Sequence, residues 1–515
     1  MLLRLLTFGT AALLLTFPGQ PAGASGLVAQ PDATTAEPAA AETDAETVPE
    51  ETASDPDSAE PGPADSSAAA DETAPDETTS DETAPDDTAS DDTAPDETAP
   101  ASIALDEVDQ LILEGLTLYE NRDLAEAQTT LEQALEAARA NENLAQESFA
   151  LTMLGLVTVN RGDYQSANDY GQLALTALAG VDDPQSTVVA LNVVALATQS
   201  QGNLPDAVAY AGEALTLADS IEFDSGRLNS LSILATSYRA VGQYSLALDA
   251  AQLAIPLAQS ERNGQALLSA LNVASSSLLA LEDYATALTA AQDALTVAVE
   301  LDDQPGRAIA LSNLGVAHYR LANLEQAIEV QTEALEVSQA VGALDVEFTA
   351  LYVLALAHYD QGDLDTAVDL YERRLELSRE SNAVGAELQS LLGLSSVYLD
   401  SGQYENAIAS FDDLLTLSEE RNQPLFQSLS LSGLGFANVQ LENYPAAQGH
   451  LEQALVVAKD IGDREAEFGL LSLLSEVHQA QNEPQQAQDY AEQAAAIRAE
   501  AEAEIAPEQA PDEAE

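Results

Sequence analysis

The chain offers few side chains that could act as nucleophiles, bases or metal ligands. Its 515 residues include no cysteine, four histidines and a single lysine, Lys459. The absence of cysteine rules out disulfides, thiolate metal sites and cysteine nucleophiles. Lys459 follows Ala458, so no glycine-lysine phosphate loop is present, and no serine lies three residues before it. These residue types disfavour nucleophilic and nucleotide-dependent chemistry.

The histidines follow the spacing of a repeat and not that of a catalytic or metal site. His318, His358 and His478 are separated by multiples of one constant interval, at a place where other copies of the segment hold tyrosine or leucine. His450 lies apart from them, and no HExxH motif occurs. This pattern is typical of half-buried packing residues. The sequence therefore predicts no enzyme activity, no cofactor and no metal site.

The charge balance narrows the classes of partner. The chain has 88 acidic and 16 basic residues, which gives a net charge of −72. Binding to nucleic acid needs a basic surface that displaces counterions from phosphates, so nucleic acid is not an expected partner. The acidity has two explanations that stay open: a salt-rich habitat, or a cationic partner.

Residues 1–24 resemble an export signal. Arg4 supplies the positive start, residues 5–17 are apolar but too few to span a bilayer stably, and Ala22-Gly23-Ala24 fits the small-x-small cleavage pattern. We expect cleavage after Ala24 and a periplasmic or secreted protein; the alternative is an uncleaved N-terminal anchor. No other apolar run approaches membrane length, so no integral membrane segment is expected in the mature chain.

Residues 25–102 have a composition that does not support a packed core. Between residues 27 and 100 there are 23 carboxylates, no basic residue and few apolar side chains larger than alanine. Mutual repulsion and the entropy of ordering then favour a disordered acidic spacer rich in threonine, alanine and proline. Weak calcium collection and threonine glycosylation are the functional alternatives. A second acidic segment, residues 500–515, is predicted to be a disordered tail.

From residue 103 to residue 499 the chain repeats itself ten times at a constant interval. One position is alanine in every copy: Ala127, Ala167, Ala207, Ala247, Ala287, Ala327, Ala367, Ala407, Ala447 and Ala487. Sixteen residues before each alanine stands a leucine, and four residues after that leucine only glycine, alanine or serine occurs. An unbroken register of this kind is the signature of a repeat architecture.

Each repeat is predicted to form two amphipathic helices joined by a short turn. In the copy that starts near Arg307, the apolar residues recur at helical spacing on both sides of a turn at 321–323. Equivalent turns contain Gly162-Asp163, Gly202-Asn203 and Gly362-Asp363, in which glycine would take a positive φ and Asp or Asn would cap the second helix. A single helix pair cannot bury its apolar face, so the repeats must stack. We therefore predict an all-α fold, a right-handed α-solenoid of ten helix-turn-helix repeats.

The repeat resembles the tetratricopeptide repeat (TPR) family. Leu311, Leu314, Gly315, Ala327 and Ala334 match the spacing of the family's leucine, glycine and alanine landmarks. At about 40 residues the repeat is longer than the usual length of about 34 residues. It also lacks the closing proline, and in both respects it is similar to the repeats of kinesin light chains and of bacterial signalling scaffolds.

The resemblance implies that ligands lie in a groove lined by the first helices. The lysine and asparagine clamp of chaperone-binding relatives is absent, because no lysine lies there. Asparagines that hold a peptide backbone, tyrosines that add flat contact area and arginines that supply scarce positive charge are the implied binding residues. They are Asn192, Asn272, Asn313, Tyr319, Tyr352, Tyr359, Arg239 and Arg320. We expect the asparagines to be exposed, and their replacement with alanine to leave folding nearly unchanged; alternatively, these residues are ordinary polar groups on a solvated face.

Together with the export signal, these features predict a non-catalytic, exported scaffold that binds a protein or an extended peptide in its concave groove. Two other classes stay open. One is a structural or envelope-assembly protein, and the other is a solenoid that senses a small ligand.

Overall fold

The computed structural model describes residues 106–505. The predicted export signal (1–24) and acidic spacer (25–102) lie outside the described residues, as does most of the predicted tail. The described part contains twenty α-helices and no strand, so the all-α solenoid of ten helix-turn-helix repeats is confirmed. The last helix extends to Ile505, beyond the expected end at residue 499, because its alanine and glutamate residues favour helix.

The helices alternate between a first and a second helix of each repeat. The first helices are α1 Glu107–Glu120, α3 Leu144–Asn160, α5 Pro184–Ser200, α7 Asp224–Ala240, α9 Gly264–Ala280, α11 Gln304–Arg320, α13 Leu344–Asp360, α15 Val384–Asp400, α17 Pro424–Gln440 and α19 Arg464–Ala480. The second helices are α2 Leu124–Ala140, α4 Tyr164–Leu178, α6 Leu204–Ser220, α8 Tyr244–Ser260, α10 Tyr284–Glu300, α12 Leu324–Val341, α14 Leu364–Glu380, α16 Tyr404–Glu420, α18 Tyr444–Ile461 and α20 Pro484–Ile505.

The turns between the two helices of a repeat have the backbone expected of them. Gly162, Gly202 and Gly362 have φ values of 77°, 82° and 81°, in the left-handed region that glycine enters without steric cost. Asp163 and Asp363 cap the second helix, since their side chains accept from the backbone N–H three residues later. Asn203 does not cap: its amide donates instead to Asp206, at 2.6 Å. The cap that the sequence predicted at Asn203 is therefore not formed.

The core is a continuous apolar layer between first and second helices. The recurring alanine is completely buried in most repeats, as in Ala127, Ala327 and Ala447, and the leucine sixteen residues earlier is nearly so, as in Leu311 and Leu351. Each repeat also packs against the next one, which buries faces that a lone helix pair would expose. Stacking is thus the source of stability and also defines the surface available for binding.

Candidate functional site

The first helices line the inner side of the solenoid. Each one packs against its own second helix and, from α1 to α17, also against the first helix of the neighbouring repeat. Second helices, by contrast, contact chiefly first helices. The row of closely packed first helices must therefore lie on the inside of the curve. The side of each first helix that faces neither neighbour nor second helix forms the inner surface.

Asn192, on α5, does not point freely into the groove. Its side chain is only 7% exposed. The amide donates to the backbone oxygen of Gly226 at 3.2 Å, and its oxygen accepts from the hydroxyl of Ser230 at 2.8 Å. Both partners belong to α7, the first helix of the next repeat. Asn192 therefore joins two successive first helices.

Asn272 and Asn313 occupy the same kind of interface, and they are 8% and 5% exposed. The amide of Asn272 donates to the backbone oxygen of Gly306 at 3.3 Å. The amide of Asn313 donates to the hydroxyl of Ser275 at 2.8 Å and to the backbone oxygen of Asn272 at 3.3 Å. The expectation that the three asparagines are exposed is wrong, because at these helical positions a neighbouring first helix packs directly over the amide.

Because of this burial, replacing Asn192, Asn272 and Asn313 with alanine should reduce the free energy of unfolding by about 2–4 kcal/mol in total, since each loses buried hydrogen bonds and leaves acceptors unpaired. Denaturant melts followed by circular dichroism would measure this. Asn229→Ala is the matched control, because Asn229 is an exposed asparagine on α7 and should change stability by less than about 0.5 kcal/mol. Equal stability of the triple variant and wild type would contradict the interface role.

The two arginines predicted for the groove differ from the other basic residues on the first helices. Arg227, Arg307 and Arg464 lie near helix starts and form ion pairs with carboxylates. Arg239 and Arg320 lie in the last turn of their helices, are half-buried, and have no carboxylate at ion-pair distance among the described residues. The guanidinium of Arg320 instead lies 5.4 Å from the centre of the Tyr284 ring.

The side chain of Arg239 is half-buried, and this affects the pKa of its guanidinium. Burial lowers the pKa of its guanidinium, while Tyr244 and Asp345 oppose that shift. Burial likewise raises the pKa of the Asp345 carboxyl, and Arg239 opposes the rise. Asp345 is on α13, three repeats beyond α7.

Two of the predicted tyrosines connect successive first helices. The hydroxyl of Tyr319, on α11, donates to Oδ2 of Asp360 on α13, at 2.9 Å. The hydroxyl of Tyr359 donates in the same way to Asp400 on α15. Burial raises the pKa of both phenols well above the usual range, and it also raises the pKa of the Asp360 carboxyl. Both rings are half-buried, so they leave part of their area on the inner surface.

Tyr352, in contrast, belongs to the core. It is 3% exposed, its ring meets Tyr371 edge to face at 6.2 Å, and its hydroxyl has no hydrogen-bond partner among the described residues. The expectation that it adds exposed contact area is wrong. The physical reason is that two side chains of α14, Tyr371 and Arg374, pack against its ring and cover it.

The sequence reasoning missed Arg374, which covers one face of the Tyr352 ring at 4.9 Å. It is 3% exposed, and burial lowers its pKa to about 10, so it is still charged at neutral pH. No carboxylate lies within ion-pair distance of it in the part that the structure describes. A signal was available, because this position is alanine in most repeats: Ala134, Ala174, Ala214, Ala254, Ala294, Ala334, Ala454 and Ala494.

Oxygen atoms of two neighbouring first helices surround the Arg374 guanidinium. Nε donates to the backbone oxygen of Phe348 on α13, at 3.0 Å. On α15, Nη1 donates to the oxygen of Ala386 and to the hydroxyl of Ser390, and Nη2 donates to Oε1 of Gln389, all at 2.8 Å. Arg374 thus holds two repeats together and is not a ligand-binding group.

Two of the four histidines, His358 and His478, contact the turn that follows their helix. Nδ1 of His358 lies 3.2 Å from Asp363, and Nδ1 of His478 lies 2.7 Å from Glu483, five residues later in both cases. His478 also stacks on Tyr490 at 5.3 Å. The described residues contain no group of three or more His, Cys, Asp or Glu side chains that could hold a metal ion. None of the described helices is long and apolar enough to cross a membrane.

Comparison with known proteins identifies the repeat. Family models described as tetratricopeptide repeat match residues 112–182, 266–340, 346–420 and 426–500. No curated protein matches the chain.

Many solved structures are similar to the chain, including the following three. The apo form of RapI is 13% identical, with a TM-score of 0.51, and the match covers 69% of this chain and 98% of RapI. A signal-transduction ATPase with a TPR sensor, from Pyrococcus horikoshii, is 15% identical with a TM-score of 0.49, and the match covers 67% of this chain and 55% of the ATPase. TPR-like repeats related to kinesin light chain, from Podosopora anserina, are 16% identical with a TM-score of 0.32, over 37% of this chain and 95% of theirs. With the family models matching more than half of its length, the chain belongs to the tetratricopeptide repeat family.

Proposed function

We propose that this protein is a non-catalytic scaffold that binds a partner protein, through an extended peptide segment, along the inner surface of its first helices. One observation carries the proposal. From residue 101 onward the chain has 65 acidic and only 15 basic residues, yet Arg239 and Arg320 lie on the inner surface with no described carboxylate at ion-pair distance. A half-buried cation loses hydration, and pairing recovers that cost. A bound ligand would supply the missing partner.

The shape of the fold supports the same proposal. Ten stacked repeats present a continuous inner surface, and such surfaces suit extended ligands. The half-buried rings of Tyr319 and Tyr359 add area that bears both apolar and hydroxyl groups, which is the usual character of a binding surface. We further propose, from residues 1–24 alone, that the protein acts after export, in the periplasm or outside the cell.

Site-specific photo-crosslinking tests the binding surface. A benzophenone amino acid placed at Asn229, an exposed inner position on α7, should produce a crosslinked partner of defined mass in the cells that make the protein. The same group at Val299, which is 60% exposed on the second helix α10, is the matched control and should give no adduct. Adducts from Val299 but not from Asn229 would contradict the proposal and favour a structural role for the outer side. Absence of any adduct would also contradict it.

A further inference from the structure

The inner surface carries a short column of charges in three consecutive repeats. Arg320, Asp360 and Asp400 are each the last residue of a first helix and stand one repeat apart. At the same position, other repeats hold uncharged residues, except for Glu120 in the first one: Asn160, Ser200, Ala240, Ala280, Gln440 and Ala480. The column is therefore one positive charge followed by two negative charges, in the sixth to eighth of the ten repeats.

The hydrogen bonds show that the three side chains share one side of the stack. Tyr319 adjoins Arg320 in the chain and donates to Asp360; Tyr359 adjoins Asp360 and donates to Asp400. Each bond crosses from one first helix to the next. The members of the column thus lie beside one another, one per repeat, along the direction in which the repeats stack.

The two aspartates lie where the helix itself disfavours them. The C-terminal end of a helix carries a partial negative charge, so an anion in the last turn is destabilising, whereas Arg320 at the same place is favoured. Asp360 and Asp400 have exposed side chains, although the protein around Asp360 removes enough water to raise the pKa of its carboxyl. Neither has a basic side chain at ion-pair distance among the described residues. Each uses Oδ2 for a tyrosine and has no described partner at Oδ1. The tyrosine hydroxyl compensates this cost at one oxygen of each carboxylate only, which leaves the other oxygen available to a ligand.

We propose that the column recognises a mixed-charge segment of the partner, in which an acidic residue binds Arg320 and basic residues bind Asp360 and Asp400. This inference rests on the proposed function and names the chemistry of its ligand. Packed helices lie about 8–10 Å apart, and an extended chain advances about 3.3 Å per residue. The acidic residue and the two basic residues should therefore follow one another at intervals of roughly three residues, in one chain direction or the other.

A peptide selection tests both the charges and their spacing. A random dodecapeptide library is selected for binding to the full chain at an ionic strength of about 0.15 M. The enriched peptides should contain an acidic residue and a basic residue roughly three residues apart. When the Arg320→Gln variant is the target, the enriched peptides should no longer contain the acidic residue. When the target carries both Asp360→Asn and Asp400→Asn, they should no longer contain the basic residues. Asparagine removes the charge but still accepts the hydrogen bond from the tyrosine, so the contacts between the helices are kept. Arg262→Gln removes an exposed cation from a turn and should leave the enriched pattern unchanged.

Affinity measurements then connect each peptide residue to its protein partner. Anisotropy with a labelled, selected peptide should show about tenfold weaker binding to Arg320→Gln, the effect of one charge-assisted hydrogen bond. Replacing the acid of the peptide with glutamine should weaken binding to wild type equally and binding to Arg320→Gln little further. The melting temperature of Arg320→Gln should stay close to that of wild type, which separates a binding role from a structural role of the contact with Tyr284.

Several outcomes would overturn the inference. If the enriched peptides contain clustered lysine or arginine and no acidic residue, they bind by nonspecific electrostatic attraction to an acidic surface. An acid that persists in the Arg320→Gln selection would show that another group binds it. A selection that returns no specific binder would contradict the proposed peptide-binding function itself, whereas binders without the mixed-charge pattern would contradict only the column.

Discussion

Replacing Arg374 with alanine is expected to destabilise the seventh and eighth repeats by about 3–5 kcal/mol, because hydrogen bonds from a buried charged donor and the volume of a large buried side chain are lost together. Alanine would remove the donors to Phe348, Ala386, Gln389 and Ser390 and would leave a cavity. Hydrogen exchange in α13–α15 is the appropriate measurement, since a long repeat array need not unfold as one unit.

Two further variants separate volume from hydrogen bonding at this position. Arg374→Met keeps most of the volume and buries no charge, so its cost should be clearly smaller than that of alanine. Arg373→Ala removes the adjacent, exposed arginine, whose contact with Glu347 is 3.8 Å long, and should cost less than about 1 kcal/mol. Unchanged exchange protection in Arg374→Ala would show that the buried guanidinium contributes nothing to stacking.

The second large effect is expected where Phe411, on α16, packs against Gly433 of α17. A Cβ atom at Gly433 would overlap the Phe411 ring. Phe411→Ala should therefore cost about 3–5 kcal/mol through the cavity it leaves, and Gly433→Val should be destabilising through the clash. The combined variant should recover much of the loss, because the valine side chain would enter the space that the ring vacates.

Other repeats already contain the combined arrangement. Ala251 stands where Phe411 does and Val273 where Gly433 does, and Ala211 is matched with Ile233 in the same way. Urea melts of the two single variants and the double variant would give a coupling free energy, which we expect to reach about 1–3 kcal/mol, as for residues in direct contact. Additive losses in the double variant would show that the two positions do not share one space.

This exchange of large and small residues was visible in the repeat register, as was the unusual arginine at 374. Both could have been predicted by comparing the residues at equivalent positions of the ten repeats. The sequence did not show, however, which residue each of these positions contacts. A repeat period specifies which positions are equivalent, but it does not specify which positions of one repeat contact which positions of the next. That Phe411 faces Gly433, and that Arg374 reaches α15, follows from the angle at which one helix pair packs on the next.

The sequence by itself determined the twenty helices, the turns and the ten-fold stack, because local backbone preference and the recurrence of apolar residues act within each repeat. It also placed Arg239, Arg320, Tyr319 and Tyr359 correctly on first helices. Only the tertiary structure decided which polar side chains on those helices remain accessible. Successive helix residues turn by about 100°, so a neighbouring helix covers some positions of one face and not others. For that reason Asn192, Asn272 and Asn313 became interface residues, while Asp360 and Asp400, which sequence reasoning passed over, remain on the inner surface.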